Sequence, residues 1–256
     1  MSLISSNTLF HFTSTLDNLI GILLNEFRPR LSVESFDYVA QHLPPDSVDR
    51  ESGIPMVCFC DIPLSQVGKH MEHYGSYGIG LDKDWGIAKG ISPVFYTHPR
   101  SPGTLSAAQL VALLSSLHLD SAPDEQKERA LLAGQLIYFF KPYKGDLVRP
   151  DGVRSEVRFY DEREWRYIPP DVERIPAISR ADLADPVKSK EARLATDALP
   201  PLSFEPKDIN YILVEREDEV LPMYYALRRI KAKYSEAEKD TLVTKLISAE
   251  RIRADF

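Results

Sequence analysis

The chain has 256 residues, with 31 Lys and Arg against 38 Asp and Glu, for a formal net charge of −7. Hydrophobic residues make up 43% of it and charged residues 27%, which excludes global disorder and suits a folded chain with ample core. No apolar run approaches the roughly 18 residues of a membrane helix, and MSLISSNTLFHF lacks the layout of a secretory signal, so a cytoplasmic protein that makes no use of a membrane is expected.

The first elements read as strand, turn and helix. Thr8 to Thr13 alternates and is rich in aromatic and β-branched residues, as a strand is. Ser14 followed by Asp17 resembles a capping box, and Leu16, Leu19, Ile20, Leu23 and Leu24 then share one helical face. Residues 27 to 54 are polar, carry Pro29, Pro44, Pro45 and Gly53, and read as a long loop with a short helical turn. Pro55 to Cys60 is a short apolar run expected as a buried strand. Its two cysteines, Cys58 and Cys60, sit too close along a strand for an easy disulfide and read as reduced, buried thiols. Pro63 suits the first turn of a helix through His70 and His73, which Tyr74 to Gly78 breaks.

Ile79 to Leu81 and Pro93 to Thr97 read as strands on either side of a short helix from Asp84 to Gly90. Residues 104 to 140 suggest two helices inserted between sheet segments, one buried through Leu110, Val111, Leu113, Leu114 and Leu117, the other through Leu131, Leu132, Leu136, Ile137 and Phe140. Lys141 to Gly152 reads as a loop. Val157 to Phe159 and Trp165 to Ile168 read as strands, 169 to 206 as loops with one weak helix, and Ile209 to Val214 as the last strand. Two helices, about 218 to 232 and 235 to 249, complete the chain. Helices of irregular length without a βαβ rhythm indicate α+β: a single domain over 1–256, with a core at 8–168 plus the strand 209–214 and a helical C-terminal part at 218–250. No G-x-G-x-x-G, Walker, H-E-x-x-H or G-x-S-x-G motif is present.

Three places carry candidate chemistry and a fourth a candidate contact. His11 ends the first strand, where a neutral imidazole and the Thr13 hydroxyl suit a ligand hydroxyl; a lone strand histidine also serves structure alone. In an extended segment Glu162, Glu164 and Arg166 project from one face, either as a charged sheet edge or as a carboxylate that stabilises a cationic transition state. Arg166 would hold that carboxylate ionised or grip an anionic ligand group. His70 and His73 have helical metal-pair spacing but no third ligand, so no metal is expected. Tyr74 and Tyr77 flank Gly75, where rings stack on a planar ligand or pack in the core. Arg228, Arg229, Lys231 and Lys233 form a basic stretch that reads as a solvated helix face or a phosphate contact.

The block Met56 to Ser65, then His73 to Leu81, Trp85-Gly86 and Pro93 to Tyr96, resembles the AbiGi-type abortive phage infection family, and His11-Phe12-Thr13 and Glu162 to Arg166 fit the same pattern. The resemblance covers about residues 8 to 168. It implies a role in phage defence and the family's label of antitoxin, with a cognate toxin or antitoxin as partner. More distantly, His-x-Thr on a first strand, Asn18-Leu19 and Ile22-Leu23 on the next helix, a late Glu, and Pro93 to Pro102 are similar to DarT-like ADP-ribosyltransferases. That resemblance implies an ADP-ribosyltransferase-like mixed or antiparallel sheet and NAD as substrate. His11 and Thr13 would bind NAD, and Tyr74 or Tyr77 would stack on nicotinamide. Glu164 would be catalytic, supported by Glu162 and Arg166, and the acceptor would be a nucleic acid or a protein. A non-catalytic antitoxin or sensor that binds a partner protein through 104–140 or the C-terminal helices is the rival expectation.

Overall fold

A computed structural model describes residues 5–45, 48–117, 121–148, 154–170, 177–230 and 234–255. Strand β1 (Thr8–Thr13) leads into helix α1 (Leu16–Asn25). The helix is capped by Thr15, which accepts the Asn18 N–H at 3.2 Å, one residue beyond the expected Ser14 cap. Part of the expected long loop is strand β2 (Arg30–Ser35) and the single turn α2 (Asp37–Ala40). β2 pairs only with β3 (Glu51–Cys60) and leaves most of its residues half-buried or exposed, so its polar sequence carries little apolar alternation. Helix α3 (Gly68–Tyr74) follows a 3₁₀ turn at Leu64–Gln66 and stops at Gly75. Gly75 has φ 103°, and a Cβ there would lie 2.2 Å from the Thr13 carbonyl oxygen. Only glycine fits this crossing of two chain segments.

Next come β4 (Tyr77–Asp82), α4 (Lys83–Ala88), β5 (Ser92–Pro93) and β6 (Phe95–Thr97). The strand expected at 93–97 is thus two strands, broken where Pro93 supplies no N–H for a continuing ladder. Helices α5 (Pro102–Ser116) and α6 (Asp124–Gln135) lie between β6 and β7 (Phe140–Pro142). Their buried faces are not the expected leucine rows. Thr104, Ala107, Ala108 and Ala130 are buried, whereas Leu105, Leu113, Leu131, Leu132 and Leu136 face solvent. Small residues let α5 lie close against Tyr38 and Val39 of α2; Leu110, Val111, Leu114 and Leu117 are half-buried, and Ile137 and Phe140 pack against the cluster as expected.

The expected loop from Lys141 instead holds the end of β7 and β8 (Gly145–Val148), paired with β9 (Arg154–Val157). Strand β10 (Glu164–Tyr167) follows, then β11 (Ile178–Ser179), α7 (Arg180–Ala184) and α8 (Pro186–Asp197). Strand β12 (Ile209–Val214) matches its expected bounds. Helix α9 (Val220–Ile230) precedes α10 (Glu236–Val243), and the helix expected to run to 249 is interrupted by β13 (Leu246–Ser248) before α11 (Ala249–Asp255). Parallel pairing of β13 with β12 overrides local helix propensity there.

The main sheet runs β13-β12-β4-β1-β3-β10-β5, antiparallel except for the β12–β13 pair, with β2 and β11 on the outer half of β3. It is a mixed sheet with helices on both faces. Leu9, Phe59 and Ile79 pack with Leu19 and Leu23 of α1, Trp85, Met223, Leu227 and Leu242 on one face. Phe10, Phe12 and Cys60 pack with Met71 of α3 and Ala249 and Ile252 of α11 on the other. No helix among the described residues is long and apolar enough to cross a membrane.

Candidate functional site

The sheet is split beside its centre. β1 hydrogen-bonds along its whole length to β4, but to β3 it pairs only at Phe10 and Cys60. Beyond that point the strands part, and the His11 imidazole bridges the gap by bonding the Cys58 carbonyl through Nδ1 at 2.8 Å. A carbonyl only accepts, so Nδ1 carries the proton and Nε2 keeps its lone pair. Burial pushes the His11 pKa down, partly offset by the Cys58 bond, so the ring is neutral near pH 7. Alternation turns His11 toward Phe27 and Phe59, while Glu164, opposite Cys60, faces the Phe10 side. The split lets one cavity of about 820 Å³ reach both faces, and His11, Tyr38, His70, Tyr74, Lys141 and Glu164 are among its walls. That volume is in the range of small-molecule sites.

An ion cluster lies against this cavity. Lys141 of β7 donates to Glu162 at 2.7 Å and to Glu164 at 2.6 Å. Arg166, fully buried, grips both oxygens of Glu164 at 2.6 and 3.2 Å, reaches Glu34 of β2 at 2.7 Å, and donates to the Tyr138 carbonyl at 2.6 Å. The Glu164 backbone N–H donates to the Tyr96 hydroxyl at 2.7 Å. Three carboxylates meet two cations, so the cluster carries one net negative charge. Burial alone would push Glu164 up, but Lys141 and Arg166 hold its carboxyl well below the usual carboxylate range. Burial opposes charge on Lys141 as well, and Glu164 and Glu162 overcome it and push its pKa up. Both groups are therefore ionised at neutral pH.

Glu162 and Glu164 do not share one extended face as the sequence suggests. Glu162 ends a 3₁₀ turn (Phe159–Glu162), Arg163 adopts the left-handed conformation at φ 45° and ψ 51°, and β10 starts at Glu164. A non-glycine residue there costs about 1 kcal/mol or more. The kink still delivers both carboxylates to one ammonium. Tyr74 donates to Glu162 at 2.5 Å and stacks at 4.5 Å, tilted 32°, on His70. Burial and the Lys141 charge depress His70 to about 3, so it too is neutral.

Of the sequence-derived residues, His11, Tyr74, Glu162 and Glu164 come together on the cavity, and Arg166 stands behind Glu164. Thr13 and Tyr77 do not join them. The Thr13 hydroxyl accepts from Asn18 at 2.9 Å, at the start of α1. Tyr77 shares the sheet face of His11 but lies off the cavity, where it donates to Glu219 at 2.9 Å, and its pKa is pushed up to about 12, chiefly by burial. Residues missed from sequence are Lys141, hidden in a supposed loop; Glu34, on an unrecognised strand; and Tyr38, whose buried hydroxyl has no partner. The thiols of Cys58 and Cys60, both unoxidised, are pushed up by burial and are poor nucleophiles. Among the described residues no group of three or more His, Cys, Asp or Glu could hold a metal ion.

A family model described as "Putative abortive phage resistance protein AbiGi, antitoxin" matches residues 25–215. The chain is similar to an abortive phage resistance protein AbiGi of Lactococcus lactis subsp. cremoris, 31% identical over 255 residues, which covers 90% of this chain and 99% of that relative. No solved structure matches the chain.

Proposed function

The chain belongs to the AbiGi family of abortive phage resistance proteins, and on that premise we propose that it acts in phage defence as an ADP-ribosyltransferase on an ADP-ribosyltransferase-like fold, using NAD as its substrate. The observation that carries this reading is the cavity at the split between β1 and β3, where His11, Tyr74, Glu162 and Glu164 converge. His11 Nε2 accepts a ribose hydroxyl. Tyr74, with His70 behind it, offers a ring face to the nicotinamide cation. The C1′–N bond breaks, its electron pair goes to the pyridinium nitrogen, and neutral nicotinamide leaves. The ribosyl carbon gains positive charge beside Glu164, in a cluster whose net negative charge favours that transition state. An acceptor oxygen or nitrogen closes the new bond and gives its proton to Glu162. The unpartnered Tyr38 hydroxyl supplies a buried donor on the same wall.

The test is incubation of the full chain with adenylate-labelled NAD and separate RNA, DNA and protein fractions. Label moves to one fraction and transfer is lost in Glu164→Gln; transfer to none, or equal transfer with Glu164→Gln, overturns the reading.

A second reading, an antitoxin that binds its cognate toxin, is supported by the description of the matching family model and by Leu105, Leu113, Leu131, Leu132 and Leu136, which face solvent on α5 and α6 and its continuation. On that reading Leu113→Glu with Leu132→Glu abolishes co-purification with the toxin, while Glu164→Gln leaves it intact; the opposite pattern refutes it.

A further inference from the structure

A second cavity of about 820 Å³ lies on the far side of the Tyr74–Glu162 hydrogen bond. It shares His70, Tyr74 and Glu162 with the first, so those side chains form a wall between the two. Its lining is basic, against the acidic balance of the whole chain. Four cationic side chains line it, Lys69, Arg158, Arg163 and Arg253, against Asp161 and Glu162. In a chain of net charge −7, this lining has a surplus of two positive charges before any neutralisation of Glu162 by Lys141. Arg253 donates to Ser76 at 2.8 Å, which fixes its guanidinium while leaving other N–H donors available, whereas Arg158 is taken up by Asp161 at 2.8 Å and by Tyr143. Lys69 is exposed on α3.

Arg163 lines the same cavity from the kink before β10. It holds a left-handed backbone that glycine or asparagine would adopt at less cost, and its carbonyl accepts the Asp61 N–H at 3.0 Å, which pins the kink. The kink sets the Arg163 side chain on the cavity wall next to Glu162.

From this geometry we infer that the second cavity is a phosphate-binding site. It takes the phosphate of a nucleotide or of a single-stranded nucleic acid through Lys69, Arg163 and Arg253 and presents its ligand at the Tyr74–Glu162 wall. The anion site stands on its own residues; that its ligand is the acceptor of transfer rests on the transferase reading above.

The test measures binding of inorganic phosphate, a mononucleotide and a short single-stranded oligonucleotide to the full chain. At least one probe binds, and binding weakens about tenfold or more in Lys69→Gln with Arg163→Gly. Glycine keeps the left-handed backbone, and Lys69→Gln alone, at an exposed site, gives a partial loss without a folding change. For the oligonucleotide, log affinity falls with log salt by about 0.7 per phosphate contacted. Preference for the mononucleotide or for the strand assigns the source of the phosphate. Glu164→Gln keeps this binding even where transfer is lost, which separates the two claims. Binding of no probe, unchanged binding in the double variant, or loss caused instead by Arg228→Gln with Arg229→Gln overturns the inference.

Discussion

Replacing Lys141 by methionine probes the ion cluster where it is most closely coupled. The methionine fills nearly the same volume, and the change removes one of two cations that face three carboxylates. The net charge of the cluster goes from −1 to −2. Glu162 loses its ammonium and keeps only the Tyr74 hydroxyl, and Glu164 keeps Arg166 alone. Breaking a buried ion pair by removing one partner costs about 3–5 kcal/mol. For a chain of this size that corresponds to a fall in Tm of roughly 6–20 °C. The penalty depends on pH in a definite direction. In the variant the carboxylates no longer have Lys141 to hold them ionised, so one of them takes up a proton more readily, and the gap to the parent chain shrinks as pH falls from 8 to 5. Urea melts of both proteins at the two pH values measure it. A variant within about 0.5 kcal/mol of the parent at pH 8, a change no larger than ordinary surface substitution produces, or a gap that does not change with pH, would refute the reasoning.

Glu164→Gln tests the same cluster from the acid side. Because the folded pKa of Glu164 is depressed, its contribution is present above the unfolded value of about 4.3 and is lost as pH falls through the folded one; the parent therefore outlasts the variant at pH 7, and the two melting curves converge in strong acid. Gly75→Ala combines φ 103° with a 2.2 Å clash at Thr13 and lowers stability by about 2 kcal/mol or more in chemical denaturation; a neutral result would contradict the described crossing. Tyr74→Phe weakens NAD binding in calorimetry through loss of the Glu162 bond, whereas Tyr77→Phe changes stability by about 1 kcal/mol through Glu219 and leaves NAD affinity as it was. Equal effects of the two substitutions would remove the basis for choosing Tyr74.

The strands that carry the centre of the sheet were legible because they are apolar and well bounded: Thr8–Thr13 and Ile209–Val214 match their expected limits. Strand β2 was hidden because an edge pairing with one neighbour needs little apolar alternation, and with it went Glu34. The leucines of α5 and α6 misled for the opposite reason. Their periodicity is real, yet Ala107 and Ala108 are the buried contacts of α5, while Leu113, Leu131, Leu132 and Leu136 face outward. The importance of Glu162 to Arg166 could be read from its charge density, but not its geometry: a left-handed residue breaks the strand the spacing implied. Lys141, 21 residues from Glu162 in sequence, had no local signal at all, since only the chain's return past the helical pair brings it to the carboxylates. For the basic stretch at 228–233, Arg228 is occupied by Glu236 and Asp240, and residues 231–233 lie outside the described residues.

The most direct test of the central claim is the release of free nicotinamide from NAD by the full chain in the presence of the acceptor fraction, followed by chromatography. The account predicts nicotinamide in step with ADP-ribose on the acceptor, and loss of both in Glu164→Gln while the variant remains folded at pH 7. NAD recovered intact at every protein concentration, or nicotinamide released equally by the variant, would contradict it.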